Sequence, residues 1–391
     1  MDHSLDFIKE ETYMKEIGVG ILGYGFMGKA HTYAYKTMPL FYEDLPFRIR
    51  LVGVCNRTLE KAQKAKDYMG FEYATQRAED LFADDRIQVI NVCTPNNLHR
   101  DHVIGALKAG KHVYCDKPLA ANYQEAKEIL DILDSTNVIT QMAFQNRFFP
   151  ATMRAKELVD SGALGNIISF RAAYLHSGSV DPDRPMGWKL EKSMGGGVLA
   201  DLGSHVLDLI YYLLGEYEEV FAHNVILYPK RPHPSGKIVD VEAEDLSILI
   251  VKMKNGSTGT IESSKIATGT NDELIFQIHG DKGAIKFNMM DPNWLEFYDN
   301  TLPEADFGGD RGFKKIECVQ RYKSPGGKFV PSKAPIGWIR SHVHSLYNFI
   351  DNVYNGRPSA PSIRDGAYIQ YVMEMAQKSH QQKQWVAIDY L

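Results

Sequence analysis

The stretch Gly23-Tyr24-Gly25-Phe26-Met27-Gly28 limits what this chain can fold into more than any other, because of what flanks it. Ile17 to Leu22 reads as a buried strand, and the residues through His31, Thr32 and Tyr35 read as a helix. A G-x-G-x-x-G run between strand and helix allows a tight turn, close approach of backbone to a pyrophosphate, and close helix–strand packing. The helix start adds free N–H groups and the positive end of its dipole. Gly23, Gly25, Phe26, Met27 and Gly28 are therefore candidates for holding a dinucleotide, with a purely structural glycine turn as the competing reading.

The strand–helix alternation continues. Arg48 to Cys55 reads as a strand ending in Asn56-Arg57. At this point an acid bonds the ribose of NAD, whereas an arginine accommodates the 2′-phosphate of NADP. Asn56 and Arg57 supply no acid, so NADP is tolerated and NAD is not excluded; Arg57 equally suits a surface position. Ile87 to Cys93 ends in Thr94-Pro95-Asn96-Asn97-Leu98-His99, and His112 to Cys115 runs into Asp116-Lys117-Pro118. Ligands bind beyond the carboxyl ends of strands in open parallel sheets, which puts both segments on the rim of the glycine loop. Thr94, Pro95, Asn97, His99, Asp116, Lys117 and Pro118 join the cofactor candidates, as does Asn146, which follows the strand Val138 to Phe144. Asn122 and Glu125 make a capping pair for a helix through Leu133.

The pattern changes after Pro150. A helix ending at Gly162 and an alternating strand, Ile167 to Leu175, lead into a polar loop holding His176, Asp181, Asp183, Arg184 and Trp188. Gly195 to Gly215 then reads as a two-faced helix. Val198, Leu199, Leu202, Val206, Leu209 and Leu213 form an apolar stripe. Asp201, His205, Asp208 and Tyr212 keep the same steps beside it, so Asp201 and His205 are expected to touch each other and a shared ligand. A carboxylate next to an imidazole suits a held general base; a solvated polar face is the alternative. Gly195-Gly196-Gly197 favours the site, since three glycines are costly unless backbone must pass close to something. Leu246–Met253, Ser257–Ser264, Leu274–His279 and Ala284–Asn288 read as antiparallel strands, with turns at Asn255-Gly256 and Asp281-Lys282-Gly283. Pro229–Gly236 and Tyr322–Pro335 read as surface loops, and Ser341–Val353 and Asp365–Ser379 as closing helices.

Composition removes several function classes. Against 44 basic residues stand 49 acidic ones, and the net charge of −5 gives no general attraction to nucleic acid or anionic membrane. The acidic N-terminal stretch lacks the apolar core of a signal peptide, and no uninterrupted apolar run approaches the ~20 residues of a membrane span. Cys55, Cys93, Cys115 and Cys318 show no zinc or CxxC spacing, which fits a reducing, cytoplasmic setting.

With GYGFMG, TPNNLH, DKP and GGGVLADLGSH in this order, the sequence resembles the Gfo/Idh/MocA family, the glucose–fructose oxidoreductase and inositol dehydrogenase group, from Ile17 to about Ile388. The resemblance implies an α/β fold: an N-terminal Rossmann dinucleotide-binding domain and a C-terminal α/β domain with a large, mostly antiparallel open sheet. Expected limits are 1–147, including a polar leader at 1–15; 148–364 for substrate binding and oligomerisation; and 365–391 for a helix and tail packing back on the body. Within the family, FMGKAHTYAYKTMP, YLHSGSVDPDRPMGW and QIHGDKGAIKFN look most like levoglucosan dehydrogenases and glycoside 3-dehydrogenases. This implies NAD or NADP as cofactor, a homo-oligomer (dimer or tetramer), and oxidation of a ring secondary hydroxyl, C3 being favoured, of a pyranose, glycoside or cyclic polyol. The family pattern makes Lys117 the lysine beside the reacting oxygen, His205 the acid/base and Asp201 its partner. It usually has Glu-Lys-Pro where this chain has Asp116-Lys117-Pro118, one methylene shorter. Arg147, His176 and Trp188 are candidate substrate contacts, although Trp188 fits a core position nearly as well.

Three other classes compete. NAD-dependent glycoside hydrolases of this family act by transient oxidation and elimination, but lack the lysine that Lys117 provides. A cofactor-sensing scaffold would not need Lys117, Asp201 and His205 together. A metal hydrolase using Asp201, His205 and His342 or His344 lacks a convincing third ligand, so no metal is expected.

Overall fold

The computed structural model describes residues 14–319, 324–327, 329 and 333–390; most of the expected leader and part of the 322–335 loop lie outside these. Among the described residues, β1 (Lys15–Leu22), β2 (Phe47–Cys55), β3 (Tyr73–Thr75), β4 (Val89–Val92), β5 (His112–Cys115) and β6 (Thr140–Met142) form one parallel sheet in the order β3-β2-β1-β4-β5-β6. The connecting helices are α1 (Phe26–Phe41), α2 (Leu59–Met69), α3 (Ala78–Phe82), α4 (His99–Lys108) and α5 (Tyr123–Leu133). Val89 to Val92 are all buried, as a parallel sheet covered on both faces requires. The order reverses between β1 and β4, opening a crevice at their carboxyl ends. There Gly23 and Gly28 leave no room for a side chain, while a Cβ on Gly25 would meet open space. Gly23 has φ +87°, and a Cβ on it would lie 2.6 Å from the Cys93 carbonyl oxygen; one on Gly28 would lie 2.3 Å from that of Gly23.

The second half contains α6 (Pro150–Asp160), β7 (Ile167–Leu175), α7 (Ser204–Leu214), β8 (Tyr217–Val225), β9 (Lys230–Pro232), β10 (Ile238–Asp240), β11 (Leu246–Met253), β12 (Thr258–Ser264), β13 (Glu273–Gly280), β14 (Gly283–Asn288), β15 (Trp294–Asp299), β16 (Lys314–Glu317), α8 (Trp338–Asn355), α9 (Ile363–Gln382) and β17 (Val386–Ala387). Its large sheet runs β16-β15-β14-β13-β7-β12-β11-β8-β17, antiparallel except where β7 meets β12. The four expected strands and the Asn255-Gly256 hairpin are present. β8, β15 and β16 extend the sheet beyond the reading from sequence: charged positions such as Glu218 and Glu219 interrupt their apolar alternation. The Pro229–Gly236 loop is in part a hairpin, with Lys230–Pro232 paired to Ile238–Asp240.

The whole apolar stripe of the 195–215 segment is buried. Residues 192–214 are long and apolar enough to cross a membrane by composition, yet 78% of that window lies inside the fold. α8, late in the chain, returns to the parallel sheet: Val343, Leu346, Phe349 and Ile350 share a core with Ile17, Val19, Tyr35 and Tyr114. Tyr114 and Ser345 hydroxyls lie 2.8 Å apart, and Gln141 donates to the Ser345 carbonyl at 2.9 Å.

Leu346 is fully buried in this seam. Leu346→Ala is expected to cost about 2–5 kcal/mol in denaturant unfolding, by lost transfer energy and the cavity left. A cost under ~1 kcal/mol would mean that α8 is not seated there.

Candidate active site

The glycine loop ends in an open helix start. Gly25 is the N-cap of α1, no side chain caps it, and no acid occupies the first turn, so the leading amides face the crevice unopposed. Asn56 braces the loop from β2, accepting from the Tyr24 amide at 3.3 Å and donating to the Thr58 carbonyl at 3.1 Å. Arg57 is exposed beside it. Phe26 is 73% exposed and stacks on Trp338, the first residue of α8, at 5.7 Å.

Several buried polar atoms on this rim have no partner among the described residues: Oδ1 of Asn97, both amide atoms of Asn146, and Nδ1 of His205. Each such group costs about 1–3 kcal/mol unless something meets it. Open helix amides, glycines with no room for a Cβ, and orphaned amides able both to donate and to accept fit a nicotinamide dinucleotide. His99 departs from the expected cofactor role. Its ring nitrogens lie 2.8 Å from the Pro118 carbonyl and 2.7 Å from that of Thr94, so it clamps the two strand-end segments together. Thr94 turns its hydroxyl to His102 at 3.0 Å. Asp116 accepts from the Lys117 amide at 2.9 Å.

The Asp201/His205 segment is anchored at its start by Glu244, a residue the sequence reading did not single out. Glu244 accepts from the Val198 amide through its carbonyl at 2.9 Å and from the Leu199 amide through its carboxylate at 3.0 Å. The glycines before it do pass close to other groups: a Cβ on Gly195 would lie 2.7 Å from Ala121, and one on Gly197 2.5 Å from Glu244. Asn96 donates to the Gly195 carbonyl at 2.8 Å, tying this segment to the rim after β4.

Leu199–Gly203 is a π turn, with the Ser204 amide reaching back five residues to Leu199. The expected Asp201–His205 contact does not form as a hydrogen bond, and His205 Nδ1 has no partner among the described residues. π turns of this kind recur at functional sites. The Asp201 carboxylate instead meets three ammonium groups: Lys117 at 3.2 Å, Lys189 at 2.9 Å and Lys265 at 3.0 Å. Lys117 also donates to the Asp201 carbonyl. Burial alone would raise this carboxyl, but Lys265, Lys117 and Lys189 outweigh it and hold it well below the usual range. Lys117 is pushed down by burial, an effect that Asp201 opposes.

His205 is 6% exposed and packs beside Tyr174, ring centres 5.8 Å apart. Burial first, and the nearby Lys117 charge second, hold its imidazole well below the ordinary value, so it is neutral near pH 7. His176 borders the same place: its Nε2 lies 3.0 Å from Asp272, which also accepts from the Tyr174 hydroxyl at 2.7 Å. Trp188 is half-buried on the loop with Lys189, whose ammonium sits 5.8 Å from the indole centre. Arg147 is placed differently from expectation. It is buried and donates to both carboxylate oxygens of Asp208, at 2.8 and 2.5 Å, which leaves it little to offer a substrate. A guanidinium this deep needs a bidentate partner, and Asp208 is the third polar residue of the same helix. His342 and His344 go to separate neighbours: His342 lies against Trp338 and His31, and His344 takes a hydrogen bond from Arg340. Among the described residues, no group of three His, Cys, Asp or Glu is arranged to hold a metal ion.

Lys189, Lys265, Tyr174, Asp272 and Glu244 were not legible in the sequence. Glu244, Lys265 and Asp272 sit in no motif; Tyr174 opens the YLHSGSVDPDRPMGW stretch and Lys189 follows it, but nothing in that stretch points to their partners, 98 and 12 residues away.

Comparison with known proteins agrees with this architecture. Residues 17–144 match the oxidoreductase family with the NAD-binding Rossmann fold, and residues 152–286 match the GFO/IDH/MocA C-terminal domain. The chain is 32% identical to levoglucosan dehydrogenase of Pseudarthrobacter phenanthrenivorans, covering 96% of this chain and 99% of that one. It is also 32% identical to D-glucoside 3-dehydrogenase of Escherichia coli, covering 90% and 91% respectively. The structure of levoglucosan dehydrogenase in complex with NADH and levoglucosan superimposes with a TM-score of 0.92 at 31% identity, covering 96% of this chain and all of that one. The glycine loop, the strand-end rim and the lysine–aspartate–histidine centre thus sit on a shared framework, and the chain belongs to the Gfo/Idh/MocA family of NAD-binding oxidoreductases.

Proposed function

We propose that this enzyme oxidises a ring secondary hydroxyl of a pyranose, glycoside or cyclic polyol, with C3 of a sugar ring as the favoured position. The observation that carries the reading is the meeting of the Lys117 ammonium, the Asp201 carboxylate and the neutral His205 imidazole at the rim of the dinucleotide crevice. Relatives named for levoglucosan, D-glucosides and myo-inositol support the substrate class. A nicotinamide held at this crevice would supply the acceptor for the hydride of the carbinol carbon. His205, neutral and poor in partners, takes the hydroxyl proton. Lys117 directs positive charge at the oxygen as negative charge develops there, a preorganised stabilisation needing no reorientation. Asp201 holds Lys117 rather than His205. His176, Asp272 and Tyr174 offer hydroxyl-binding groups, and Trp188 an apolar face for the ring. Gly23, Gly25, Gly28 and the α1 amides would hold the pyrophosphate, and Asn97 and Asn146 would supply polar contacts on the same rim. Arg57, exposed after β2, is positioned to tolerate a 2′-phosphate, so NADP is accepted beside NAD. Ile248 and Ile250, 40% and 39% exposed on the outer face of the large sheet, support self-association through that face.

A spectrophotometric screen of levoglucosan, glucose, glycosides and inositols with NAD or NADP tests the reading. His205→Asn and Lys117→Ala should each lower kcat by roughly two or more orders of magnitude while NADH still binds; near-wild-type turnover would remove that residue from the mechanism. Because the His205 pKa is depressed, its base form persists on acidification, and the acid limb of kcat/KM should lie below pH ~6.5. Lys117, also depressed, loses its charge earlier than a free lysine, so the alkaline limb should lie below pH ~10.4. An acid limb above ~6.5 would point to another base. Arg57→Ala should weaken NADPH binding by about tenfold and leave NADH unchanged, read by fluorescence titration; equal losses would show that Arg57 does not read the 2′ position.

A further inference from the structure

We infer that Lys265 is a positioning residue of this enzyme: from behind the site it fixes the Asp201 carboxylate, and through it the Lys117 ammonium. The inference rests on the dehydrogenase reading above. Three lysines share Asp201, but unequally. Lys265 reaches Oδ2 at 3.0 Å, with a side chain only 10% exposed. Lys117 reaches Oδ1 at 3.2 Å, with its side chain 12% exposed. Lys189 touches Oδ1 at 2.9 Å and Oδ2 at 3.1 Å, but its side chain is 53% exposed.

The roots of these side chains differ as much as their burial. Lys265 follows β12 directly, and its amide donates to the Asp245 carbonyl at 2.8 Å. β12 lies under the π turn that carries Asp201: a Cβ on Gly203 would sit 3.1 Å from the Ser263 hydroxyl. Lys189 stands on the loop after Gly187, where water and sugar hydroxyls compete for its ammonium. Lys189 is therefore the exchangeable partner and Lys265 the permanent one. An ammonium this deep is tolerated only beside a paired anion, and among the described residues Asp201 is the ion-pair partner of Lys265.

The division has a geometric consequence. Asp201 holds Lys117 from one oxygen and is held by Lys265 at the other. Removing Lys265 leaves the carboxylate held only by Lys117 and the half-exposed Lys189, free to turn about its own bond so that Oδ1 leaves its place against Lys117. Lys117 then loses its fixed aim at the reacting oxygen, and a displacement of about 1 Å costs up to about a hundredfold in rate. Lys265 pairs with Asp201 and Asp245 and not with the glycine loop or the start of α1, so dinucleotide binding is expected to stay.

The experiment compares full-length wild type, Lys265→Met, Lys265→Arg, Asp201→Asn and the Lys265→Met/Asp201→Asn double variant. Melting temperature and fluorescence titration with NADH are recorded beside steady-state kinetics on the sugar panel. Lys265→Met is expected to bind NADH within about twofold of wild type, and to lose roughly ten- to a hundredfold in kcat with little change in sugar KM. Lys265→Arg should recover most of that loss, because the charge returns. In the Asp201→Asn background Lys265→Met should add nothing, since the carboxylate it positions is gone. Wild-type kcat in Lys265→Met, or additive losses in the double variant, would overturn the inference and leave the dehydrogenase reading standing. Should Lys265→Met fail to fold, Lys265→Gln takes its place; failure of both assigns Lys265 to the fold alone and overturns the inference. A wild-type protein that binds NADH but oxidises no member of the panel overturns the dehydrogenase reading, and the inference with it.

Discussion

Asp201 carries its charge where burial alone would remove it, and the ammonium groups that keep it ionised come from three distant parts of the chain. Lys117 arrives from the end of β5, Lys189 from the loop before the π turn, and Lys265 from the end of β12. One carboxylate thus ties the rim of the parallel sheet to the end of an interior strand of the large mixed sheet. Neither the carboxylate nor the buried Lys117 and Lys265 would be stable there separately, since an unpaired buried ion costs several kcal/mol (about 3–5 when one partner is removed). The site and the contact between the two sheets are for this reason the same object.

The segment that presents Asp201 and His205 is held from both ends. Glu244 meets its first amides, where a carboxylate also complements the helix dipole. Further along, Asp208 takes Arg147 in a bidentate pair near the start of α6. Between these anchors the apolar stripe is buried throughout, so the polar stripe is presented with little freedom. The π turn falls inside this restrained stretch. Asp201 and His205 have different partners: the Asp201 carboxylate meets the lysines, while the imidazole is left neutral beside Tyr174.

Much of the architecture was legible because it rests on local rules. The glycine loop, the strand–helix alternation, the Asn255-Gly256 hairpin and the Asn122/Glu125 cap each follow from a few neighbouring residues, and all are present. Lys117, Asp201 and His205 were legible as a set through motif order. The relation between Asp201 and His205 was not, because the carboxylate is taken by Lys117, Lys189 and Lys265, which come from distant parts of the chain. Arg147 was misread for a similar reason: its sequence neighbourhood on the rim says nothing of Asp208, 61 residues away.

The sequence by itself determined the strand–helix alternation, the glycine loop of the dinucleotide crevice and the Asn255-Gly256 hairpin, since turn geometry and periodicity are properties of short stretches. Only the tertiary structure decided who pairs with whom. Lys265 on Asp201, Glu244 on the helix start, Asp208 on Arg147 and α8 against β1 all join residues far apart in the chain. Such contacts are selected by burial and charge compensation in three dimensions, which leave no periodic trace along the sequence.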